Sequence, residues 1–160
     1  MEFAVHGTTA SSFGGRFSSA VEEAVRCLGR RITFFGQYQP HEVNQLMRQS
    51  GWVVVPSKWW ENSPLVIQEA LVSGRPVIVS DIGGMREKIV DGVTGLHFPA
   101  GSHASLGRLM SSVAGDSRLW RSLRSHAVVP PSVAEMNARL LTFTKRNSAV
   151  RSESKDQGGA

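Results

Sequence analysis

The chain has 160 residues, of which 41% are hydrophobic, and its 18 basic and 13 acidic side chains give a formal net charge of +5. This length suffices for one globular domain with a sizeable core. No apolar run reaches the roughly 18 residues of a membrane-spanning helix, and MEFAVHGTT lacks the features of a signal peptide, so the sequence predicts a cytoplasmic protein.

Short apolar runs, rich in β-branched and aromatic residues, alternate with helical patterns along the chain. The predicted strands are 2–6, 32–35, 52–55, 76–79 and 95–98, and the predicted helices are 17–28, 41–50, 64–73, 84–90, 103–114, 117–126 and 132–145. Such alternation predicts an α/β fold, a Rossmann-like parallel sheet with helices on both faces. Because these sheets bind ligands at the carboxyl ends of their strands, the loops after WVVV and PVIV share the predicted ligand edge.

The polar segments between these elements set the predicted domain organisation. Residues 7–15 are predicted to form a mobile loop, and DGVTG at 91–95 a tight turn. Residues 1–146 are predicted to form one domain. The segment 147–160 is polar and of mixed charge, which predicts a disordered tail.

Two glutamates, Glu61 and Glu69, flank a turn that opens into a helix within ENSPLVIQE. Asn62 and Ser63 are predicted N-cap residues, because their side-chain oxygens can accept hydrogen bonds from free backbone amides. Pro64 suits the first helical position, where no amide hydrogen is needed. The pattern places the Glu61 carboxylate just before a helix start and the Glu69 carboxylate about two turns inside the helix. The N-terminus of the helix lies between them, and the positive end of its dipole attracts phosphate. This arrangement suits a sugar, a pyrophosphate and a ribose together.

Each glutamate also has an ordinary structural interpretation. Glu69 interrupts an apolar helix, where a charge is costly unless it faces a polar partner, but a solvent-exposed side chain would account for it as well. Glu61 can complement the helix dipole without touching a ligand. The preceding Trp59 and Trp60 either pack the loop or line a sugar pocket. The position of Glu69 on the ligand edge favours a role in accepting hydrogen bonds from two vicinal hydroxyls.

Two further loops are predicted on the same edge. The DIGG segment at 81–84 contains Gly83 and Gly84, and paired glycines allow the backbone to approach a phosphate or sugar. Gln37, Tyr38 and Gln39 follow the ITFF strand and can present backbone groups to a base. An ordinary strand-to-helix connection is the alternative for the loop after ITFF, and two glycines alone are weak evidence for the DIGG segment.

Several common kinds of site are missing from the sequence. The five histidines show no metal-ligand spacing, and with one cysteine and no HxH or HExxH motif the sequence predicts no metal site. No GxGxxG, GKS/T or GxSxG motif is present.

The net positive charge lies entirely in the C-terminal part of the chain. Residues 1–100 hold nine basic and nine acidic side chains, whereas residues 101–160 hold nine basic and four acidic ones. This excess fits either a solvated helical face with a charged tail or peripheral contact with the inner surface of a membrane. The basic residues are not interleaved with aromatic ones, so the sequence predicts no nucleic-acid partner.

The segment from Gly51 to Gly101 resembles the C-terminal, donor-binding half of family-4-type glycosyltransferases of the GT-B fold. The resemblance rests on E-x7-E, then E-A-x-x-x-G-x-P-V-I, then G-G-x-x-E and a G-x-x-G-L turn. These elements are highly specific in this order and spacing, and a weaker match extends over roughly residues 2–145. It implies transfer of a sugar from a UDP-, GDP- or ADP-sugar, with retention of configuration and without a metal or other cofactor, in a process such as polysaccharide biosynthesis.

The resemblance also implies a role for each candidate residue. It implies that Glu61 contacts the donor sugar near the reacting centre and that Glu69 holds the ribose hydroxyls of the nucleotide. The backbone around Asn62, Ser63, Pro64 and Leu65 faces the diphosphate and the sugar, although Pro64 has no amide hydrogen to donate. The loop formed by Gln37, Tyr38 and Gln39 lies against the base.

The sequence departs from this family in its N-terminal part. It lacks the acceptor-binding domain and the first strand and helix of the donor domain, whose G-R-L…K-G segment clamps the donor phosphates. The sequence therefore predicts a chain that needs an N-terminal acceptor domain or a partner chain and is inactive alone. A non-catalytic nucleotide-sugar module, a truncated remnant and a nucleotide-sugar epimerase are the alternatives, and ENSP within E-x7-E favours the transferase over the epimerase.

Overall fold

The computed structural model of the chain describes residues 1–8, 16–127 and 130–156, in two compact units, Met1–Val128 and Val129–Ala160. The first unit contains strands β1 (Phe3–His6), β2 (Ile32–Gly36), β3 (Val53–Val55), β4 (Val77–Ser80) and β5 (Leu96–Phe98), with helices α1 (Arg16–Leu28), α2 (Val43–Gln49), α3 (Leu65–Val72), α4 (Gly83–Lys88), α5 (His103–Val113) and α6 (Ser117–His126). The second unit contains α7 (Val133–Asp156).

The predicted strands and helices are confirmed, with bounds that shift by a few residues, except that the helix predicted at 132–145 continues to Asp156. The helix predicted at 41–50 begins as a 3-10 turn, Pro40–Glu42, and continues as α2. The tight turn at 91–95 is also confirmed, since the Gly92 amide donates to the Gly95 carbonyl at 2.9 Å and Gly92 has a φ of +73°. Most of the loop predicted at 7–15 lies outside the described residues.

The C-terminal part of the chain differs from the prediction. Helix α7 continues to Asp156, whereas composition predicted a disordered tail from Asn147. The boundary between the two compact units lies between residues 128 and 129, and the predicted domain bounds at residues 146 and 147 stay a prediction. Helical hydrogen bonds are local, and no proline or glycine interrupts the stretch up to Asp156, so a polar composition alone does not end this helix.

The α/β fold with parallel strands is confirmed, but the strands form two sheets where one was predicted. Strand β1 pairs with β2, and β3, β4 and β5 pair in that order, all in parallel. Parallel pairing requires a crossover connection, and helices supply these between β1 and β2 and between β3, β4 and β5. In the three-stranded sheet the loops after β3 and β4 leave from the same edge, as predicted.

The core of the first unit surrounds β4, whose four residues are all buried. Val77 and Val79 pack in one apolar cluster with Ile67 of α3 and Met85 of α4. Ile78 packs in a second cluster with residues of β5, α5 and α6. Strand β4 is covered on both faces, which explains why PVIV is continuously apolar. This buried strand also anchors the loop that follows it.

The N-terminus of α7 carries a reciprocal capping box between Ser132 and Glu135. The Glu135 carboxylate accepts hydrogen bonds from the Ser132 amide at 2.6 Å and the Ser132 hydroxyl at 2.8 Å, and the Ser132 hydroxyl accepts from the Glu135 amide at 3.2 Å. The backbone hydrogen bond first, and the hydroxyl second, hold the pKa of Glu135 below its ordinary value of 4.5.

This cap is expected to make the start of α7 sensitive to acid. A carboxyl whose pKa is lower in the folded state than in the unfolded state stabilises the fold at pH values above its unfolded-state pKa. That contribution is lost as the pH falls below 4.5 and passes through the folded-state pKa. An NMR titration of the Glu135 carboxyl should therefore have its midpoint below 4.5. Ser132→Ala should move the midpoint back toward 4.5, and an unshifted midpoint in the unmodified chain would contradict the cap.

Candidate functional site

The candidate site begins with the loop between β3 and α3, residues 56–64, which we call the ENSP loop. Helix α3 starts at Leu65, and Pro64 occupies the N-cap position without any side-chain capping bond. The prediction of Asn62 and Ser63 as N-cap residues is therefore wrong. The Ser63 hydroxyl instead accepts a hydrogen bond from Nε2 of Gln68 at 2.9 Å, so a side chain from the second turn of the helix orients it.

Backbone amides at this helix start are available to a ligand. The Ile67 amide donates to the Pro64 carbonyl at 3.2 Å. Among the described residues, the amides of Asn62, Ser63, Leu65 and Val66 have no hydrogen-bond acceptor. Unpaired amides at the positive end of a helix dipole are a suitable environment for a phosphate or carboxylate oxygen.

Glu61 and Glu69 lie at the two ends of this helix start, and both are half-buried. Within the described part of the chain, neither carboxylate makes a hydrogen bond or an ion pair. A half-buried carboxylate without a partner is costly, because it has lost part of its hydration and has gained no protein donor in return. Both side chains are therefore able to accept hydrogen bonds from a polar ligand, which is the chemistry that the sequence predicted for them.

The segment after β4, residues 81–84, lies directly against the ENSP loop; it includes the first two residues of α4, and we call it the DIGG loop. The Gly84 amide donates a hydrogen bond to the Glu61 carbonyl oxygen at 2.8 Å. A Cβ added at Gly83 would lie 3.3 Å from the Cα of Trp60. The structure thus brings the two predicted loops together, and the Gly84 amide is already engaged inside the protein. Ligand contacts from Gly83 and Gly84 stay predictions.

The third predicted loop makes its contacts elsewhere. The Gln39 amide donates to the Glu42 carboxylate at 2.6 Å, and the Tyr38 ring meets the His6 ring edge-on at 6.3 Å. Gln37, Tyr38 and Gln39 are all exposed. In the described part of the chain, no hydrogen bond joins this loop to the ENSP loop, so the base contact stays a prediction.

Three large apolar side chains near the helix start face solvent. Trp59 is 80% exposed, Trp60 is 77% exposed and Leu65 is 70% exposed. Their side chains are not part of the core clusters, so packing of the loop does not account for both tryptophans. These exposed aromatic and apolar side chains lie close to Glu61 in the chain, and they are available to contact a sugar ring or another protein surface.

Sequence reasoning did not single out a polar cluster beside the DIGG loop. The Asp81 carboxylate lies 3.3 Å from Nε of Arg86 and 3.7 Å from Nδ1 of His97. The Asp91 carboxylate accepts a hydrogen bond from the His97 amide at 2.8 Å. Asp81 and Arg86 flank the start of α4 five residues apart, and that spacing of opposite charges was the available sequence signal. The cluster fixes the outer end of the DIGG loop.

The described residues contain neither a cluster of metal-ligating side chains nor a helix that could span a membrane. No group of three or more His, Cys, Asp or Glu side chains is placed to hold a metal ion there, and the absence of a metal requirement stays a prediction. None of the described helices is both long enough and apolar enough to cross a bilayer.

Comparisons with known proteins agree with these features. A family model described as "Glycosyl transferases group 1" matches residues 19–127. The chain is 33% identical over 101 residues to a D-inositol 3-phosphate glycosyltransferase of Nocardia farcinica, covering 63% of this chain and 22% of that protein. It is 27% identical over 104 residues to a lipopolysaccharide 1,2-N-acetylglucosaminetransferase of Salmonella typhimurium, covering 64% of this chain and 27% of that protein. The chain thus spans about a quarter of these relatives' length.

Solved structures show the same fold. Anabaena HepE in complex with UDP-glucose superposes with a TM-score of 0.66 at 25% identity, covering 78% of this chain and 34% of that one. A sucrose-phosphate synthase of Thermosynechococcus elongatus superposes with a TM-score of 0.72 at 24% identity, covering 92% of this chain and 38% of that one. The second likeness shows the fold alone.

Proposed function

Because the chain belongs to the group 1 glycosyl transferases, whose model matches residues 19–127, we propose that it is the donor-binding part of a retaining glycosyltransferase. The enzyme moves a sugar from a nucleotide-sugar to an acceptor glycan, lipid or small molecule, in a process such as polysaccharide biosynthesis. The observation that carries the proposal is the helix start at Leu65, where unpaired amides lie between two half-buried carboxylates without partners.

Each part of this site has a proposed role in the reaction. The amides of Leu65 and Val66, with the positive end of α3, bind the diphosphate. They stabilise the negative charge that develops there when the bond between the sugar and the phosphate oxygen breaks. Glu69 accepts hydrogen bonds from the ribose hydroxyls, and Glu61 accepts them from the donor sugar. These groups are all on the protein, so the proposed mechanism needs no metal ion.

The donor is proposed to be a UDP-sugar. HepE binds UDP-glucose in its solved structure, and the superposition with HepE covers 78% of the residues of this chain. This likeness supports a uridine donor over guanosine and adenosine donors. Calorimetry with UDP, GDP and ADP, and with the corresponding glucose nucleotides, tests this assignment. Binding of UDP-glucose by the chain alone supports a donor-binding role. Turnover of UDP-glucose once the missing domain is supplied supports a transferase, whereas binding without turnover under that condition identifies a non-catalytic module. The absence of binding to every nucleotide would contradict the proposal.

Glu61→Gln is expected to separate sugar binding from nucleotide binding. If Glu61 faces the donor sugar, losing its charge should weaken UDP-glucose binding by about 3- to 10-fold, since hydrogen bonds to a charged group are stronger than neutral ones. Binding of UDP, measured by calorimetry in parallel, should stay within about twofold. Equal losses for both ligands would count against a sugar-facing Glu61.

Two structural observations support a further domain or partner chain in the complete enzyme. In the doubly wound strand order 3-2-1-4-5-6, the pairs β1–β2 and β3–β4–β5 correspond to strands 2–3 and 4–5–6, and a strand at position 1 would join the two sheets. Helix α7 exposes a row of apolar side chains at Val133, Met136, Leu140, Leu141 and Phe143. We propose that residues outside this sequence supply the joining strand and the acceptor-binding domain, and that the chain is inactive without them.

Peripheral contact with an anionic inner-membrane surface is part of the same proposal. Helix α6 carries Arg118, Arg121, Arg124 and His126 and contains no acidic residue. Clustered arginines attract anionic lipid head groups, with an interaction on the order of 1 kcal/mol for each residue near the surface. A cytoplasmic enzyme that uses a lipid acceptor would gain from this contact.

A further inference from the structure

Gly84 occupies the closest approach between the two loops of the candidate site. Its amide donates to the Glu61 carbonyl oxygen at 2.8 Å, and the Glu61 amide donates to the Trp59 carbonyl oxygen at 3.0 Å. Both backbone groups of Glu61 are therefore hydrogen-bonded within the protein. Since two peptide units fix the direction of the Cα–Cβ bond, these contacts also set the direction in which the Glu61 side chain leaves the loop.

The space at Gly84 admits no side chain. A Cβ there would overlap the Asn62 carbonyl oxygen and lie 2.5 Å from the Glu61 carbonyl oxygen, and both atoms belong to the backbone. Gly84 itself has no positive φ, so its requirement for glycine is steric alone. Gly83 differs, because its φ of +53° lies in the left-handed region that favours glycine. The two glycines are needed for separate physical reasons.

The DIGG loop is the better-anchored of the two loops. Strand β4 is buried along its whole length, and the Asp81 amide donates to the Phe98 carbonyl oxygen of β5 at 2.8 Å. Met85 and Ile89, on the other side of Gly84, are 0% and 1% exposed. In contrast, Trp59 and Trp60 of the ENSP loop are largely exposed. Gly84 therefore holds a fixed position in the core, and the ENSP loop rests on it.

We infer that Gly84 is a positioning residue, which holds the ENSP loop against the DIGG loop and thereby aims the Glu61 carboxylate at the donor sugar. This inference rests on the proposed function for its ligand, whereas the contact between the loops does not depend on it. This role does not require Gly84 itself to contact the donor. Gly84 acts through the backbone of Glu61 and Asn62, while Glu69, on the second turn of α3, keeps its position without it.

The decisive variant is Gly84→Ala, compared with two matched glycine-to-alanine controls. Gly107, in α5, has open space around an added Cβ, so Gly107→Ala tests the substitution itself. Gly95 is buried in the core, where a Cβ would lie 2.6 Å from Cγ2 of Ile89 and 2.8 Å from Cγ2 of Val77. Gly95→Ala thus introduces a milder steric conflict, with core methyl groups and with the Val77 carbonyl oxygen at 2.9 Å, away from both loops, and it measures the effect of general destabilisation.

Calorimetry with UDP and UDP-glucose on these three variants gives the first readout. Gly84→Ala should weaken UDP-glucose binding by about tenfold and change UDP binding by less than about twofold, because a displaced Glu61 loses the sugar contact, while the amides of Leu65 and Val66 in α3 still bind the diphosphate. Gly107→Ala should change neither affinity. Gly95→Ala should change both affinities by the same factor. Equal losses for the two ligands in Gly84→Ala would overturn the positioning role.

Two measurements without a ligand keep the inference independent of the proposed function. In the unmodified chain, a through-hydrogen-bond NMR coupling between the Gly84 nitrogen and the Glu61 carbonyl carbon should be detectable, and its absence would contradict the contact even if Gly84→Ala does not fold. In folded Gly84→Ala, hydrogen exchange of amides 59–63 should accelerate relative to Gly95→Ala. If neither UDP nor UDP-glucose binds the unmodified chain, the proposed function fails. Unchanged hydrogen exchange in Gly84→Ala would overturn the positioning role separately.

Discussion

Glu69→Ala is expected to weaken UDP binding by about 10- to 100-fold, the largest effect on binding that we predict for this chain. A hydrogen bond to a charged group contributes about 1.5–3 kcal/mol, which corresponds to this range, and the ribose offers two hydroxyls to one carboxylate. Glu69 is half-buried and has no protein partner among the described residues, so a ligand hydroxyl would replace the lost hydration. Titration calorimetry with UDP measures the change.

Two further variants make this result specific. Glu69→Gln retains one acceptor oxygen without the charge, and it should bind UDP with an affinity between those of the unmodified chain and Glu69→Ala. Glu23→Ala removes an exposed carboxylate from α1 and should leave UDP affinity unchanged, which separates a contact at the site from a change in net charge. An unchanged affinity in Glu69→Ala would eliminate the ribose-binding role.

Ile67→Ala is expected to lower the free energy of unfolding by about 2–5 kcal/mol. The Ile67 side chain is 0% exposed and packs in the cluster formed by α3, β3 and β4. Its truncation removes buried apolar surface and leaves a cavity between the helix and the sheet. Domains are typically stable by about 5–15 kcal/mol, so this one substitution should remove a large share of the total.

The same helix offers a matched control for this prediction. Val72 lies on α3 with its side chain 52% exposed, and Val72→Ala should change the free energy of unfolding by less than about 0.5 kcal/mol. Urea denaturation followed by circular dichroism compares the variants. Equal losses for Ile67→Ala and Val72→Ala would mean that α3 is not packed on the sheet as described, and the geometry of the helix start at Leu65 would then need revision.

Local sequence patterns predicted the elements of this fold well because their causes are local. Strands such as PVIV and helices such as LVIQEALV follow from periodicity and from turn residues within a few positions. The N-cap was predicted wrongly because capping is a competition between donors and acceptors. The Ser63 hydroxyl accepts from Gln68 at 2.9 Å, and nothing in the preference of serine for N-cap positions indicates that alternative donor.

The sequence by itself determined the order of the strands and helices, and it determined that Glu61 and Glu69 flank a helix start. Those features depend on residues within one or two turns of each other. Only the tertiary structure decided that the strands form two sheets and that the Gly84 amide bonds to the Glu61 carbonyl oxygen. These contacts join residues far apart in the chain, and they exist because parallel pairing of β3 with β4 brings the two following loops to one edge, where only glycine fits between them.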